Sequence, residues 1–185
     1  MVVTGVPGSG KTTLASALAI ALNVPLLSLD AMKEHLYDGG VGAQDPYGLR
    51  LAAEAELVAQ LSATAGTVVV DIWIAPRRDT ERVTALLEQQ GKDIVELICR
   101  VPADIAVSRY AGRQRTVPHL PPDEPTLQRI RDAVDVLEPM GIGTGIELDT
   151  SRRLDIGEVL DLLRRITAPG GGRSREPSPH TKCTS

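Results

Sequence analysis

The run Gly5-Val6-Pro7-Gly8-Ser9-Gly10-Lys11-Thr12-Thr13 constrains this chain more than any other stretch. Its fixed positions read GxxxxGK[ST], a pattern that dictates both a shape and a chemistry. Glycines let consecutive backbone N–H groups turn inward and cradle an anion. A helix beginning near Lys11 adds the positive end of its dipole. Lys11 then supplies a point charge for β- and γ-phosphates, and the Thr12 hydroxyl is a ligand for Mg²⁺. The alternative is a chance glycine-rich turn. At ordinary glycine frequency the four fixed positions recur by chance in roughly one chain of this length in a hundred or fewer. The context decides between the two: β-branched Val2 and Val3 precede the loop, and Leu14, Leu18 and Leu22 follow it at helical spacing. Gly5 to Thr13 is therefore read as a nucleotide phosphate site.

The rest of the chain alternates short apolar runs with helical patterns. PLLSL at 25–29, TVVVD at 67–71, IVELICRV at 94–101 and GIELD at 145–149 are strand candidates that join the first to make five. Helical patterns are expected over 31–38, 47–65, 77–90, 102–113, 126–137 and 155–166. Strands separated by helices imply an α/β fold with a parallel sheet. The first strand has only about four residues before the loop where five or six are usual, which raises the expectation that the natural chain begins upstream. Residues 1–168 are expected to form one domain, and the Gly-, Pro- and Ser-rich residues 169–185 a disordered tail.

Composition narrows the function. The chain has 185 residues and a net charge of −4, so the molecule as a whole is no electrostatic trap for extended nucleic acid. Its 4 lysines and 16 arginines, mostly in the second half, leave room for a local basic groove. No apolar stretch reaches the roughly 20 residues that span a bilayer, and the N-terminus carries no basic segment followed by an apolar run. Two cysteines, Cys99 and Cys183, without metal-ligand spacing, fit a reducing compartment. A cytoplasmic location is the expectation.

A phosphate loop does not say what becomes of the γ-phosphate, and kinase, GTPase and ATPase readings compete. A GTPase needs a guanine-specifying NKxD, which the sequence lacks, and Asp71-Ile72-Trp73-Ile74 lacks the glycine of a DxxG switch. A kinase needs an acid for the acceptor hydroxyl and cations that close over ATP. Asp30, at the carboxyl end of the second strand, is placed to accept or orient that proton, though it equally suits the N-cap of the next helix. Asp71, ending the third strand, suits a Mg²⁺ role or a plain strand end. Arg109 and Arg113, four apart on one expected helix, and Arg115 beyond them suit a lid over ATP or a solvated face.

GVPGSGKTTLA, LDAMKEHLYD, VVVD, RYAGRQR…PH and ELDTS together resemble the small AAA-type P-loop kinases, a group related to polynucleotide 5′-kinases, chloramphenicol phosphotransferase and zeta-type toxin kinases. The resemblance spans about residues 1–167. It implies a P-loop NTPase fold, a three-layer α/β/α sandwich with a five-stranded parallel sheet. It also implies transfer of the γ-phosphoryl of MgATP to a hydroxyl of a small molecule or a nucleic-acid end. Asp30 is then the base, Lys11 and Thr12 serve phosphates and Mg²⁺, and Arg113, Arg115 and Arg109 approach ATP. Asp149-Thr150-Ser151 resembles the segment that lies near the adenine. Relatives often carry Asn or a small residue soon after the strand-three acid, where this chain has Ile72-Trp73-Ile74. Arg77 and Arg78 fall where relatives are often basic, either binding an anionic acceptor or opening a solvated helix. His119 is a lone histidine in a Pro-rich loop, near a family histidine. Lys33, the 38–47 loop and Trp73 are expected around the acceptor, and Tyr37, Tyr47 and Trp73 either stack on it or fill the core.

Overall fold

Crossover direction places every helix that lies between two strands. The computed structural model describes residues 1–42, 45–113 and 117–167. Its strands are β1 (Val2–Gly5), β2 (Leu26–Ser28), β3 (Val69–Asp71), β4 (Val95–Arg100) and β5 (Thr144–Asp149). All pair in parallel, in the order β2-β3-β1-β4-β5. The helices are α1 (Lys11–Leu22), α2 (Leu29–Asp38), α3 (Pro46–Ala63), α4 (Thr80–Glu88), α5 (Ala103–Ala111), α6 (Glu124–Asp135) and α7 (Ile156–Thr167). Only the β1-to-β2 step runs toward the β2 edge; the later steps run the other way. Right-handed crossovers therefore put α1 on one face and α2 to α6 on the opposite one.

The buried residues follow this division. Val3, Val69, Leu97 and Cys99 pack against Leu14, Leu18, Val159 and Leu163 of α1 and α7. Val2 and Val70, one residue out of phase, pack against Met32, Ala53, Leu57 and Val83 of α2, α3 and α4. Strand side chains alternate faces, so a strand buried on both must be apolar throughout, which is why VVV and LIC carry no polar residue. Val6 and Val101 join Ala106, Tyr110 and Ile130 in a third cluster under α5 and α6.

Two expectations need correction. Asp30 is not the cap of α2: β2 runs into the helix with no intervening loop, so the cap is Ser28, whose Oγ accepts from the Ala31 N–H at 3.4 Å. Asp30 sits one residue inside, in the first turn, where a carboxylate favours the dipole. The helix carrying Arg109 does not reach Arg113. It stops at Ala111, with Gly112 as cap, so Arg109 and Arg113 share no helix face. Arg115 and the tail from 168 onward lie outside the described residues. Among the described residues, no helix is long and apolar enough to cross a membrane.

Candidate active site

The reversal of winding direction opens a crevice at the carboxyl ends of β1 and β3, where ligands of open α/β sheets bind. The β1 loop enters it from one side and Asp71 from the other. Gly5 at φ +147 and Gly8 at φ +86 are there for close approach as much as for turning. A Cβ on Gly8 would stand 2.1 Å from the Ala106 carbonyl of α5, and one on Gly5 would stand 2.9 Å from that of Cys99. Ser9 is fully buried and its N–H donates to Val6 O at 3.0 Å, closing the turn. Gly10, the N-cap of α1, is left-handed and has no side chain to occupy the first-turn N–H groups. Those donors remain for an anion. Lys11 opens the helix and is itself buried.

Asp71 is the meeting point. It is 2% exposed and stands in register with Val3 on β1 and Ser28 on β2. Its Oδ2 accepts from Ser28 Oγ at 3.4 Å, and its Oδ1 has no hydrogen-bond partner among the described residues. Burial pushes its carboxyl upward, the Lys11 charge and Thr12 hydroxyl pull it down without cancelling that, and Asp30 adds to the rise. Lys11, Thr12 and Asp30 thus all bear on Asp71. Asp30 also lies 3.9 Å from Lys33 Nζ, one turn along α2. An under-coordinated carboxylate oxygen beside a threonine hydroxyl fits Mg²⁺, which takes one or two protein oxygens and fills its shell with phosphate and water. Among the described residues no cluster of three His, Cys, Asp or Glu forms an all-protein metal cage.

Across α1, a cleft of about 930 Å³ is lined by Gly10, Thr13, Arg109, Arg113, Thr150 and Arg153, among others. Arg109 is committed to the backbone. Its Nη1 donates to Thr150 O and its Nη2 to Ser151 O, both at 2.8 Å. The Thr150 hydroxyl donates in turn to Arg100 O at 2.9 Å. Arg109 therefore ties the end of β5 to α5 beside the phosphate loop. Arg113 is exposed on the same cleft.

A charge cluster that the sequence did not reveal joins α3 to the start of α4. Arg50 and Glu54 of α3, each over nine-tenths buried, pair through Nε and Oε1. Fully buried Asp79 accepts from Arg78 Nη2 at 2.8 Å and Arg82 Nη2 at 2.9 Å, and Arg82 also reaches Glu54. Burial works against ionised Asp79, but Arg78, Arg50 and the Ala75 N–H hold its carboxyl below the usual range. The available signal was a charged i,i+4 pair beside the apolar stripe Leu49, Ala53, Leu57 and Leu61.

The other singled-out residues are dispersed. Arg78 lies at this cluster, whereas Arg77, left-handed at φ 64, lines a different cleft of about 450 Å³ with Thr4 and Glu96. His119 has a partner after all, its Nε2 lying 2.6 Å from Glu34 Oε1 on α2. Trp73 is half-buried against the α5–α6 cluster, whereas Tyr47 is 55% exposed and fills no core.

A β2-β3-β1-β4-β5 parallel sheet with a glycine loop and basic helix start after β1 defines a P-loop NTPase of α/β/α architecture. The family described as an AAA domain, AAA_33, matches residues 1–139, and the chain belongs to it. No curated protein matches the sequence. Solved structures similar to it include a shikimate kinase from Acinetobacter baumannii in complex with shikimate, at 18% identity and TM-score 0.67, covering 91% of this chain and 94% of that one. A sugar kinase from Janibacter sp. HTCC2649 is 21% identical at TM-score 0.61, covering 89% and 91%. A gluconokinase from Sinorhizobium meliloti 1021 is 20% identical at TM-score 0.55, also covering 89% and 91%. At these identities the likeness is one of fold.

Proposed function

We propose that the protein is a kinase that transfers the γ-phosphoryl of ATP to a hydroxyl of a small molecule or a nucleic-acid end. The observation that carries this reading is Asp30. It lies in the first turn of α2, just past the carboxyl end of β2, and bears electrostatically on Asp71. Neither an ATPase nor a nucleotide sensor needs a second carboxylate there.

In this reading ATP lays its phosphates on the N–H groups of Gly8 to Thr13, with the Lys11 ammonium on the β- and γ-phosphates. Its base enters the cleft beside Thr150, whose carbonyl Arg109 holds in place. Thr12 and Asp71 are the residues that would hold Mg²⁺, which when bound would supply positive charge against the phosphates. Asp30 accepts the acceptor hydroxyl's hydrogen bond, orients the oxygen in line and takes its proton as the P–O bond forms. Arg113, with Arg115 from beyond the described residues, approaches the transferring group and stabilises the charge that develops on it.

The test is ADP production from MgATP against a pooled set of hydroxyl acceptors. Asp30→Asn is expected to abolish acceptor-dependent ADP while leaving ATP affinity nearly unchanged, and Lys11→Ala to weaken ATP binding itself. ADP formed without acceptor and untouched by Asp30→Asn moves the assignment to a regulatory ATPase. Unchanged ATP affinity in Lys11→Ala removes the phosphate-site assignment.

A further inference from the structure

One contact joins the connection between α5 and α6 to α2, across the width of the sheet. His119 Nε2 lies 2.6 Å from Glu34 Oε1, and 85 residues separate the two in the chain. α2 follows β2 and α5 follows β4, strands that the order β2-β3-β1-β4-β5 sets three spacings apart. With neighbouring strands about 4.8 Å apart, the connection reaches roughly 14 Å, past β1 and β3. Those are the two strands whose carboxyl ends carry the phosphate loop and Asp71. α5 itself stays at that edge, since Ala106 stands against Gly8 and Arg109 bonds to the carbonyls of Thr150 and Ser151.

A fully exposed pair of this kind would hold almost nothing. Here the His119 side chain is only 11% exposed, while Val117 and Leu120 on either side of it are 63% and 51% exposed. The chain turns the imidazole inward and leaves two aliphatic side chains in water, the reverse of what apolar burial alone selects. The next residue is tied to the opposite wall. The hydroxyl of buried Tyr110 on α5 donates to Leu120 O at 2.8 Å. Adjacent residues of the connection are thus anchored to elements on the two sides of the crevice. On α2, Glu34 lies one turn beyond Asp30, so the two share a side of that helix.

We infer that His119 and Glu34 are positioning residues, whose contact straps the α5–α6 connection against the helix of Asp30 and keeps bulk water from the transferring phosphoryl group. This rests on the kinase reading. Water competes with any acceptor hydroxyl for the γ-phosphoryl, and a crevice covered on its acceptor side directs transfer away from water. Both residues act through the placement of the connection, and neither is needed at the reacting atoms.

The experiment uses the full chain and two readouts. ADP formation from MgATP without added acceptor makes water the probe. In parallel, trypsin cleavage after Arg113, at the head of the connection, is timed with Mg²⁺ and a non-hydrolysable ATP analogue, because proteolysis tracks local opening. Glu34→Ala and His119→Ala are each expected to raise both rates about tenfold, the loss of one charge-assisted bond. The double variant is expected to go no further than either single one, since both remove the same contact. Glu34→Gln, whose amide oxygen accepts the same bond, is expected to recover most of both rates. Unchanged cleavage in Glu34→Ala overturns the inference and leaves the kinase reading standing. Faster cleavage with unchanged hydrolysis also overturns it, and reduces the contact to one of the fold. A wild type that turns over ATP neither with water nor with the pooled acceptors removes the kinase reading, and the cleavage result alone then decides whether the strap exists.

Discussion

Replacing Asp71 by Asn separates function from stability with opposite signs. The wild-type carboxylate is 2% exposed, one oxygen lacks a hydrogen bond, and its burial outweighs the attraction of Lys11. A buried, unsatisfied acceptor costs about 1–3 kcal/mol, more when charged. Asn keeps the shape and the Ser28 contact but removes the charge, and the lost Lys11 attraction offsets part of the gain. A net stabilisation of about 1 kcal/mol remains, which for a domain of this size raises Tm by roughly 2–4 °C. The sign has a pH signature. A carboxyl raised in the fold makes the folded state gain stability as pH falls toward and below its folded value, which lies above 3.8. Wild type has that gain and Asn does not, so the Tm advantage of Asp71→Asn is largest near neutral pH and shrinks on acidification. Function moves the other way. If Asp71 holds the metal, the Tm increment of MgATP over ATP with EDTA disappears in the variant, and phosphoryl transfer falls about 100-fold or more, two steps of about 1.4 kcal/mol. Differential scanning fluorimetry at pH 5 and pH 7.5, with and without nucleotide, reads the Tm difference, its pH dependence and the MgATP increment, and ADP release reads transfer. A Tm several degrees below wild type would show Asp71 to be a structural acceptor. A surviving MgATP increment would remove its metal role.

Glu96 gives a second pH test away from the nucleotide. It is buried, accepts from the Thr4 hydroxyl at 3.0 Å and the Met140 N–H at 2.9 Å, and burial pushes its carboxyl up. Stability linked to the retained proton is present below the unfolded value and lost as pH rises through the folded one, so Glu96→Gln gains on wild type between pH 4.5 and pH 8; a pH-independent Tm difference refutes this. Arg109→Met removes two charge-assisted bonds to Thr150 and Ser151. It is expected to raise the KM for ATP about tenfold with a smaller change in kcat, by loosening the wall of the cleft; a loss confined to kcat would instead place Arg109 on the transferring phosphoryl group.

Contiguous chemistry was legible before any coordinates. Gly5 to Thr13, the five apolar runs, and the acids at 30 and 71 are each short-range patterns, because a phosphate cradle and a strand buried on both faces require particular residue types side by side. What stayed hidden is what packing creates. Ser28 caps α2 in place of Asp30 because β2 has no loop after it, and its hydroxyl reaches Asp71 only through the β2–β3 register. Gly112 ends α5 before Arg113, and Arg109 spends its fork on carbonyls 41 and 42 residues away, where the end of β5 presents them. Arg50, Glu54 and Asp79 looked like an ordinary helix pair and a helix start. They become one buried charge cluster because α3 and the start of α4 pack on the same face of the sheet. Local patterning thus determined a nucleotide phosphate site in a parallel α/β sheet, since each part is specified by neighbours in the chain. The buried ion-pair cluster of Arg50, Glu54, Asp79 and Arg82 was decided by tertiary structure, since it exists only as a sum over residues that the fold brings together.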